Sequence, residues 1–230
     1  MRKNKKTFLE LLAISIFFMT FAFLALFIFK QSSPTGFADL TGRVMSTVYV
    51  HPAVPATCNT TIQPGLNLIS FFCISTVEDL DYMTETIPQY DYIFTYDSSD
   101  SKDPWKAYKP GLPAWVITDI RSMSRKNGYW IQFQATSPTN LYINGSKRIP
   151  TEIDIRQGTN LAGYPTNVVK EIATALDSIN GSYEIVYSYD NKNNNYQYYN
   201  SSGNGTLNET APYKGYWIIA NNTGKWVVDW

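Results

Sequence analysis

The hydrophobic pattern divides the chain into unlike parts. Leu11 to Phe29 is an unbroken run of nineteen uncharged residues rich in Phe, Leu and Ile. In a helix rising ~1.5 Å per residue, that run reaches roughly 28 Å, close to the ~30 Å hydrocarbon core of a bilayer. Beyond Lys30 the apolar positions fall into short stretches of aromatic and β-branched residues alternating with polar ones, broken by Pro, Gly, Asn and Asp. That is the pattern of strands and turns. Two stretches carry helical spacing instead. Val77, Leu80, Met83 and Ile87 recur behind a Ser75-x-x-Glu78 capping box and stop at Pro88. Val168, Ile172, Ala175 and Ile179 recur ahead of Asn180-Gly181. Each stripe predicts one helix packed on a sheet.

These elements recur in order. Pro64-Gly65-Leu66-Asn67-Leu68-Ile69 aligns with Gln157-Gly158-Thr159-Asn160-Leu161-Ala162, 93 residues later. Tyr90–Asp97 aligns with Tyr183–Asp190, and Trp105-Lys106-Ala107-Tyr108 with Tyr196-Gln197-Tyr198-Tyr199. Gly128-Tyr129-Trp130-Ile131 aligns with Gly215-Tyr216-Trp217-Ile218 at the shorter spacing of 87. Four blocks in one order indicate a duplication. The predicted fold class is α+β and β-rich: an N-terminal transmembrane helix, then two tandem small mixed-sheet modules, each with one packed helix. Residues 1–30 are expected to form a basic tip and anchor, and 31–57 a stalk with a weak strand over 39–51. The modules are expected over 58–150 and 151–230, closing on strands at Asn140–Asn144 and Lys225–Trp230.

The ordered set Gly-x-Asn-Leu-Ile-Ser, helix, Tyr-x-x-Ile-x-x-Tyr-Asp, Trp-x-x-Tyr, Gly-Tyr-Trp-Ile resembles a repeat of secreted archaeal and bacterial cell-surface proteins. The resemblance spans about residues 62–146 and 155–230. The chain departs from it at Leu66 and Thr159, where the repeat usually carries Trp. The resemblance implies a cell-surface location and no chemistry.

Charge bears on topology. The chain is neutral, with 19 basic and 19 acidic residues, but Arg2, Lys3, Lys5 and Lys6 precede the apolar run and only Lys30 follows it. The positive-inside bias places the N-terminus in the cytoplasm and the rest outside, with residues 11–29 in the lipid bilayer. A cleaved signal peptide is the competing reading; the run exceeds the usual apolar length, and Gly36-Phe37-Ala38 is the one candidate cleavage motif. Thr7-Phe8-Leu9-Glu10-Leu11-Leu12 also resembles the start of a type IV pilin. Glu10, however, falls one position early for cleavage after Lys6, and the usual preceding Gly is absent. The remainder is mildly acidic without a basic stripe, which argues against nucleic acid as a partner.

Cys58 and Cys73 lie fifteen residues apart on the outer side. A disulfide is expected there, with two separate buried thiols as the alternative. Seven Asn-x-Ser/Thr sequons follow the apolar run, at Asn59, Asn144, Asn180, Asn200, Asn204, Asn208 and Asn221, and predict glycosylation where the host has the machinery.

Catalysis finds little support. His51 is the single histidine and precedes both modules, so neither a Ser-His-Asp arrangement nor an imidazole metal site is available within them. No phosphate-binding Gly-rich loop or nucleophile elbow occurs. Asp97, Asp100 and Asp103 are a weak Ca²⁺ candidate, competing with Asx turns at Asp97 and Asp190. Trp105, Tyr108, Tyr196 and Tyr199 are candidate sugar-stacking residues, whereas Trp130 and Trp217, at matched positions, suit packing. The expected function is a non-catalytic structural or adhesive surface glycoprotein without cofactors, meeting other surface proteins or glycans. The alternatives are a pilin-like filament subunit and a carbohydrate-binding or wall-acting protein.

Overall fold

The same strand order is written twice along the chain. The computed structural model describes residues 53–87, 89–112 and 118–230. The apolar run 11–29, Glu10, the strand expected over 39–51, His51 and Pro88 lie outside the described residues. Among the described residues no helix is long and apolar enough to cross a membrane.

The first half holds β1 (Val54–Ile62), β2 (Gly65–Ile69), β3 (Glu78–Asp79), α1 (Leu80–Thr86), β4 (Tyr90–Tyr96), β5 (Trp105–Tyr108), β6 (Ser122–Met123), β7 (Tyr129–Phe133) and β8 (Thr139–Lys147). The second half repeats it with β9 (Thr151–Ile155), β10 (Gly158–Ala162), β11 (Lys170–Glu171), α2 (Ile172–Ala175), β12 (Tyr183–Asp190), β13 (Asn195–Asn200), β14 (Glu209–Thr210), β15 (Tyr216–Ala220) and β16 (Gly224–Val228). A 3₁₀ turn, Asp177–Ile179, extends α2. The fold is α+β and β-rich. Its four-stranded sheets are ordered β2-β7-β4-β5 and β10-β15-β12-β13, beside the two-stranded ladders β1–β8, β9–β16, β3–β6 and β11–β14.

Every described ladder is antiparallel, which corrects the expectation of mixed sheets. The helix crossover does make β2 and β4 run the same way. They never pair, because β7 enters between them and runs antiparallel to both. The second half does the same with β15.

The helices are shorter than their stripes. Leu80, Met83 and Ile87 are buried as predicted, but Val77 is 74% exposed. Ser75 and Glu78 do meet, through the Ser75 N–H and the Glu78 carboxylate at 3.3 Å. Glu78 and Asp79 are then taken up by the ladder to β6, and Asp79 caps the helix instead, accepting from Asp81 N–H at 2.8 Å. Glu171 repeats this cap, with Ile172, Ala175 and Ile179 buried and Val168 exposed. β1 and β9 were not foreseen as strands. β1 begins at Val54, inside the segment read as stalk, and only Cys58 and Ile62 of it are buried.

Each half buries its own core. In the first, Cys58, Leu141 and Ile143 from the β1–β8 ladder and Met83 from α1 cover the face of the sheet that carries Ile93, Ile131 and Tyr129. In the second, Trp226, Tyr164 and Tyr216 take the centre. The Gly-Tyr-Trp-Ile strand turns its Tyr inward because the hydroxyl reaches backbone: Tyr129 Oη accepts from Ser124 N–H at 2.6 Å, and Tyr216 Oη from Ala211 N–H at 2.8 Å. A buried Tyr keeps its stability only where its hydroxyl is so satisfied.

The Gly-x-Asn-Leu block is a turn held by an amide. Gly65 and Gly158 have φ of +87° and +92°, a region that favours Gly. Asn67 is fully buried; its Nδ2 donates to the carbonyls of Gln63 (2.8 Å) and Gly65 (3.0 Å), and its Oδ1 accepts from Gln63 N–H (3.0 Å). Asn160 makes the same bonds to Arg156 and Gly158, and adds Ile218 O at 3.3 Å. These bonds fix the corner between each outer ladder and its four-stranded sheet.

Burial raises the pKa of several tyrosines; that of Tyr90 is pushed up to about 12, and those of Tyr129 and Tyr216 go higher. A neutral acid with a raised folded pKa contributes stability that is intact below the unfolded value near 10 and is lost as pH rises through the folded value. Tyrosinate absorbance is therefore expected to keep rising well above pH 10, because the buried set, Tyr90, Tyr129 and Tyr216 among them, ionises only with loss of near-ultraviolet circular dichroism. A single step near pH 10 with the fold intact would contradict this burial.

Candidate functional site

The described residues fall in one compact unit, and its halves meet about a local twofold relation. Ile69 bridges Lys214, and the matching residues Asn127 and Ala162 bridge likewise. Ser70 N–H donates to Tyr213 O (3.2 Å), as its counterpart Gly163 N–H does to Lys126 O (2.8 Å). The two four-stranded sheets turn their outer faces toward each other around Leu68, Trp130 and Leu161. Gly128 and Gly215 sit at the centre: a Cβ on Gly128 would lie 2.9 Å from Ala162 O and from Leu161 Cδ1, and one on Gly215 would lie 2.8 Å from Leu68 Cδ1.

Aromatic trios flank this axis. Tyr96, Trp105 and Trp217 meet edge-on at centroid distances of 5.4, 5.5 and 5.6 Å. Their counterparts Tyr189, Tyr196 and Trp130 meet at 5.0 to 6.3 Å. Each trio takes two rings from one half and the Trp from the other. Trp130 and Trp217 therefore join the halves. The four sugar-stacking candidates separate: Trp105 and Tyr196 lie on the rims of this contact, 43% and 57% exposed, while Tyr108 and Tyr199 pack on the two cores. Residues three apart on a strand point to opposite faces, so neither pair forms one platform.

Beside each trio the twofold leaves a cleft between the halves. One, about 140 Å³, is lined by Thr61, Gln63, Asp190, Lys192, Tyr213 and Lys214 among others. Tyr213 reaches across it: its ring meets Phe72 at 5.3 Å and its hydroxyl accepts from Asn59 N–H at 2.9 Å. Burial lowers the pKa of Lys214, whose ammonium donates to Tyr189 O at 3.2 Å. The other cleft is about 480 Å³, and its charged lining includes Lys106, Asp119, Arg121, Lys126, Asp154 and Arg156. Partial desolvation raises the pKa of Asp119, the charge of Asp103 adds to it, and Lys106 opposes it.

The acidic loop at the mouth of the larger cleft is engaged internally. Asp97 Oδ1 accepts from Ser99 N–H (2.8 Å) and Oγ (2.6 Å), an Asx turn that Asp190 repeats with Lys192 and Asn193. Lys106 pairs with Asp100 at 2.8 Å and with Asp103 at 3.7 Å, and its bond to Asp100 lowers that carboxyl's pKa. Among the described residues no group of three Asp, Glu, His or Cys side chains converges on a metal-sized site.

Cys58 and Cys73 form a disulfide, both fully buried with Cα atoms 5.6 Å apart, which ties β1 to the loop before α1. Asn59, Asn144, Asn180, Asn204, Asn208 and Asn221 are exposed. Asn200 is half-buried, with Oδ1 accepting from Ser202 and Asn204 N–H. The cleft residues Asp119, Arg121, Lys126, Asp154 and Arg156 escaped the sequence reading. They are scattered over 38 positions and belong to no motif; aligning the two copies for charge was the one signal that exposes them. Comparison with protein-family models, with curated proteins and with solved structures found no match.

Proposed function

We propose that the chain is a membrane-anchored, extracytoplasmic surface glycoprotein, non-catalytic, with a structural or adhesive role. On this reading residues 11–29 form the transmembrane anchor, and the duplicated halves are tandem modules of the surface-repeat type that the motifs resemble. Its partners are the lipid bilayer and other surface proteins or glycans, not nucleic acid. The observation that carries the reading is the buried Cys58–Cys73 disulfide downstream of a basic-flanked apolar run. Such a bond persists in an oxidising compartment, where the positive-inside bias also puts this part of the chain. The six exposed sequon asparagines support it further.

Mass spectrometry of the intact protein and of its N-terminal peptide, from native membranes, tests the proposal. The expected result is an unprocessed N-terminus, hexose-bearing sequons and an oxidised Cys58–Cys73 pair. A new N-terminus at Thr7 would make the filament-subunit reading the better one. Processing near Asp39 would remove the anchor, and reduced, unglycosylated protein would overturn the extracytoplasmic assignment.

A further inference from the structure

We infer that the larger cleft between the halves is a binding site for a short oligosaccharide. The inference goes beyond the surface-protein reading and stands whether or not the chain is anchored. The two clefts occupy equivalent places in a duplicated fold, and one is closed by Tyr213. At the matching place the other has Lys126, whose ammonium makes no such crossing bond among the described residues, and that cleft is about 480 Å³. This lies within the ~300–1,000 Å³ of small-ligand sites.

The walls differ in chemistry as well as in room. Lys106, Asp119, Arg121, Asp154 and Arg156 stand where the other copy has Gln197, Thr206, Asn208, Thr61 and Gln63, every one uncharged. The closed cleft has charges of its own at Lys192 and Lys214, against Ser99 and Asn127 here. None of Asp119, Arg121, Lys126, Asp154 and Arg156 forms an ion pair among the described residues. At Asp119, Arg121, Lys126, Asp154 and Arg156 the larger cleft thus carries charges of both signs where its twin has uncharged residues.

That mixture selects the ligand class. A phosphate or nucleic-acid site would be cationic throughout, and a wholly apolar ligand would leave the charges unsolvated, although Ile120, Ile153 and Leu161 also line the cleft. A sugar hydroxyl both donates and accepts, so a run of hydroxyls suits a cleft lined by both carboxylates and guanidinium groups. Tyr96 adds a ring to the wall, with Trp105 edge-on to it at 5.4 Å and 43% exposed at the rim. Flat rings of this kind meet the apolar faces of sugars.

The test uses the full-length protein in detergent, titrated calorimetrically with cellotriose, maltotriose, chitotriose and a trigalacturonate. The critical variant gives the cleft its twin's residues: Asp119→Thr, Arg121→Asn, Asp154→Thr and Arg156→Gln. All four positions are exposed, so the melting temperature is expected to hold. Binding of at least one saccharide, weakened tenfold or more in this variant, supports the site. Should the variant fold poorly, carbodiimide labelling of the wild-type carboxyls supplies a second reading. Saccharide is then expected to protect Asp119 and Asp154 but not Asp177. The inference is overturned if no trisaccharide binds, if binding survives the four substitutions, or if acidic or basic peptides compete better than the sugars.

Discussion

Asn160→Asp is expected to destabilise the domain by about 4 kcal/mol, although it exchanges one NH₂ for one oxygen. The Nδ2 of Asn160 faces three carbonyl oxygens, those of Arg156, Gly158 and Ile218, and the side chain is 3% exposed. An oxygen there is repelled by all three acceptors. The carboxyl must stay protonated against its ordinary pKa or carry a buried charge, and either is expensive. Asn160→Ala removes the repulsion but leaves the Arg156 N–H and the carbonyls unpaired, at roughly 2–3 kcal/mol. Asn67→Asp and Asn67→Ala should follow the same order with smaller losses, since the Asn67 amide meets two carbonyls rather than three. Urea unfolding of the four variants tests the series. The Asp variants are also expected to recover as pH falls toward the ordinary Asp value of about 3.9, where the unfolded chain no longer gains by ionising. An Asn160→Asp protein as stable as wild type at pH 7 would mean that this amide does not hold the corner.

The role of that asparagine shows which parts of the fold could be read in the sequence and which could not. The block Gly-x-Asn-Leu was visible as a repeat, and so were the strand blocks and the buried helical residues, because each depends on neighbours within a few positions. The Asx turns at Asp97 and Asp190 were legible for the same reason. What the sequence hid was decided at long range. Nothing local says that Glu78 and Asp79 will pair with Ser122 and Met123, yet that pairing leaves Val77 outside the helix. β1 shows little apolar alternation and carries Pro55, so its membership of the core rests on β8, whose residues pair with it across separations that run from Val54–Lys147 down to Ile62–Thr139. The choice between Tyr and Trp for the inner face of Gly-Tyr-Trp-Ile depends on the backbone N–H groups of Ser124 and Ala211. The site was hidden most completely, since its charges lie on loops and strands of both halves.

Duplication explains why the halves meet as they do. Each four-stranded sheet has one face covered by its own helix and outer ladder, and its other face still carries large rings: Phe94, Tyr96 and Trp130 in the first half, Tyr189 and Trp217 in the second. A second copy of the same sheet is the nearest complementary surface. The Gly of each Gly-Tyr-Trp-Ile block makes that contact close enough to bury Trp130 and half-bury Trp217. The motif thus joins two tasks on adjacent residues, with Tyr serving its own half and Gly and Trp serving the other.

The two glycines are nevertheless expected to tolerate substitution unequally. Gly128→Ala should cost roughly 3 kcal/mol and Gly215→Ala roughly 1 kcal/mol, because overpacking is costly only where the neighbour cannot yield. A Cβ on Gly128 meets backbone, Ala162 O at 2.9 Å, and that carbonyl lies where Gly128 N–H donates to Leu161 O. A Cβ on Gly215 is crowded by the Leu68 side chain, with Cδ1 at 2.8 Å and Cγ at 3.0 Å, which can change rotamer, and meets Gly128 Cα at an ordinary 3.5 Å. Double-mutant cycles separate the cases. Leu68→Ala should relieve nearly the whole cost of Gly215→Ala, giving a favourable coupling of about 1 kcal/mol. Leu161→Ala should relieve only part of the cost of Gly128→Ala, because the Ala162 carbonyl remains. Equal costs for the two glycines, or full rescue of Gly128→Ala by Leu161→Ala, would show that the halves do not meet through these backbones. Loss of a single cooperative unfolding transition in Gly128→Ala, with Gly215→Ala retaining it, would place the shared stability of the domain at this contact.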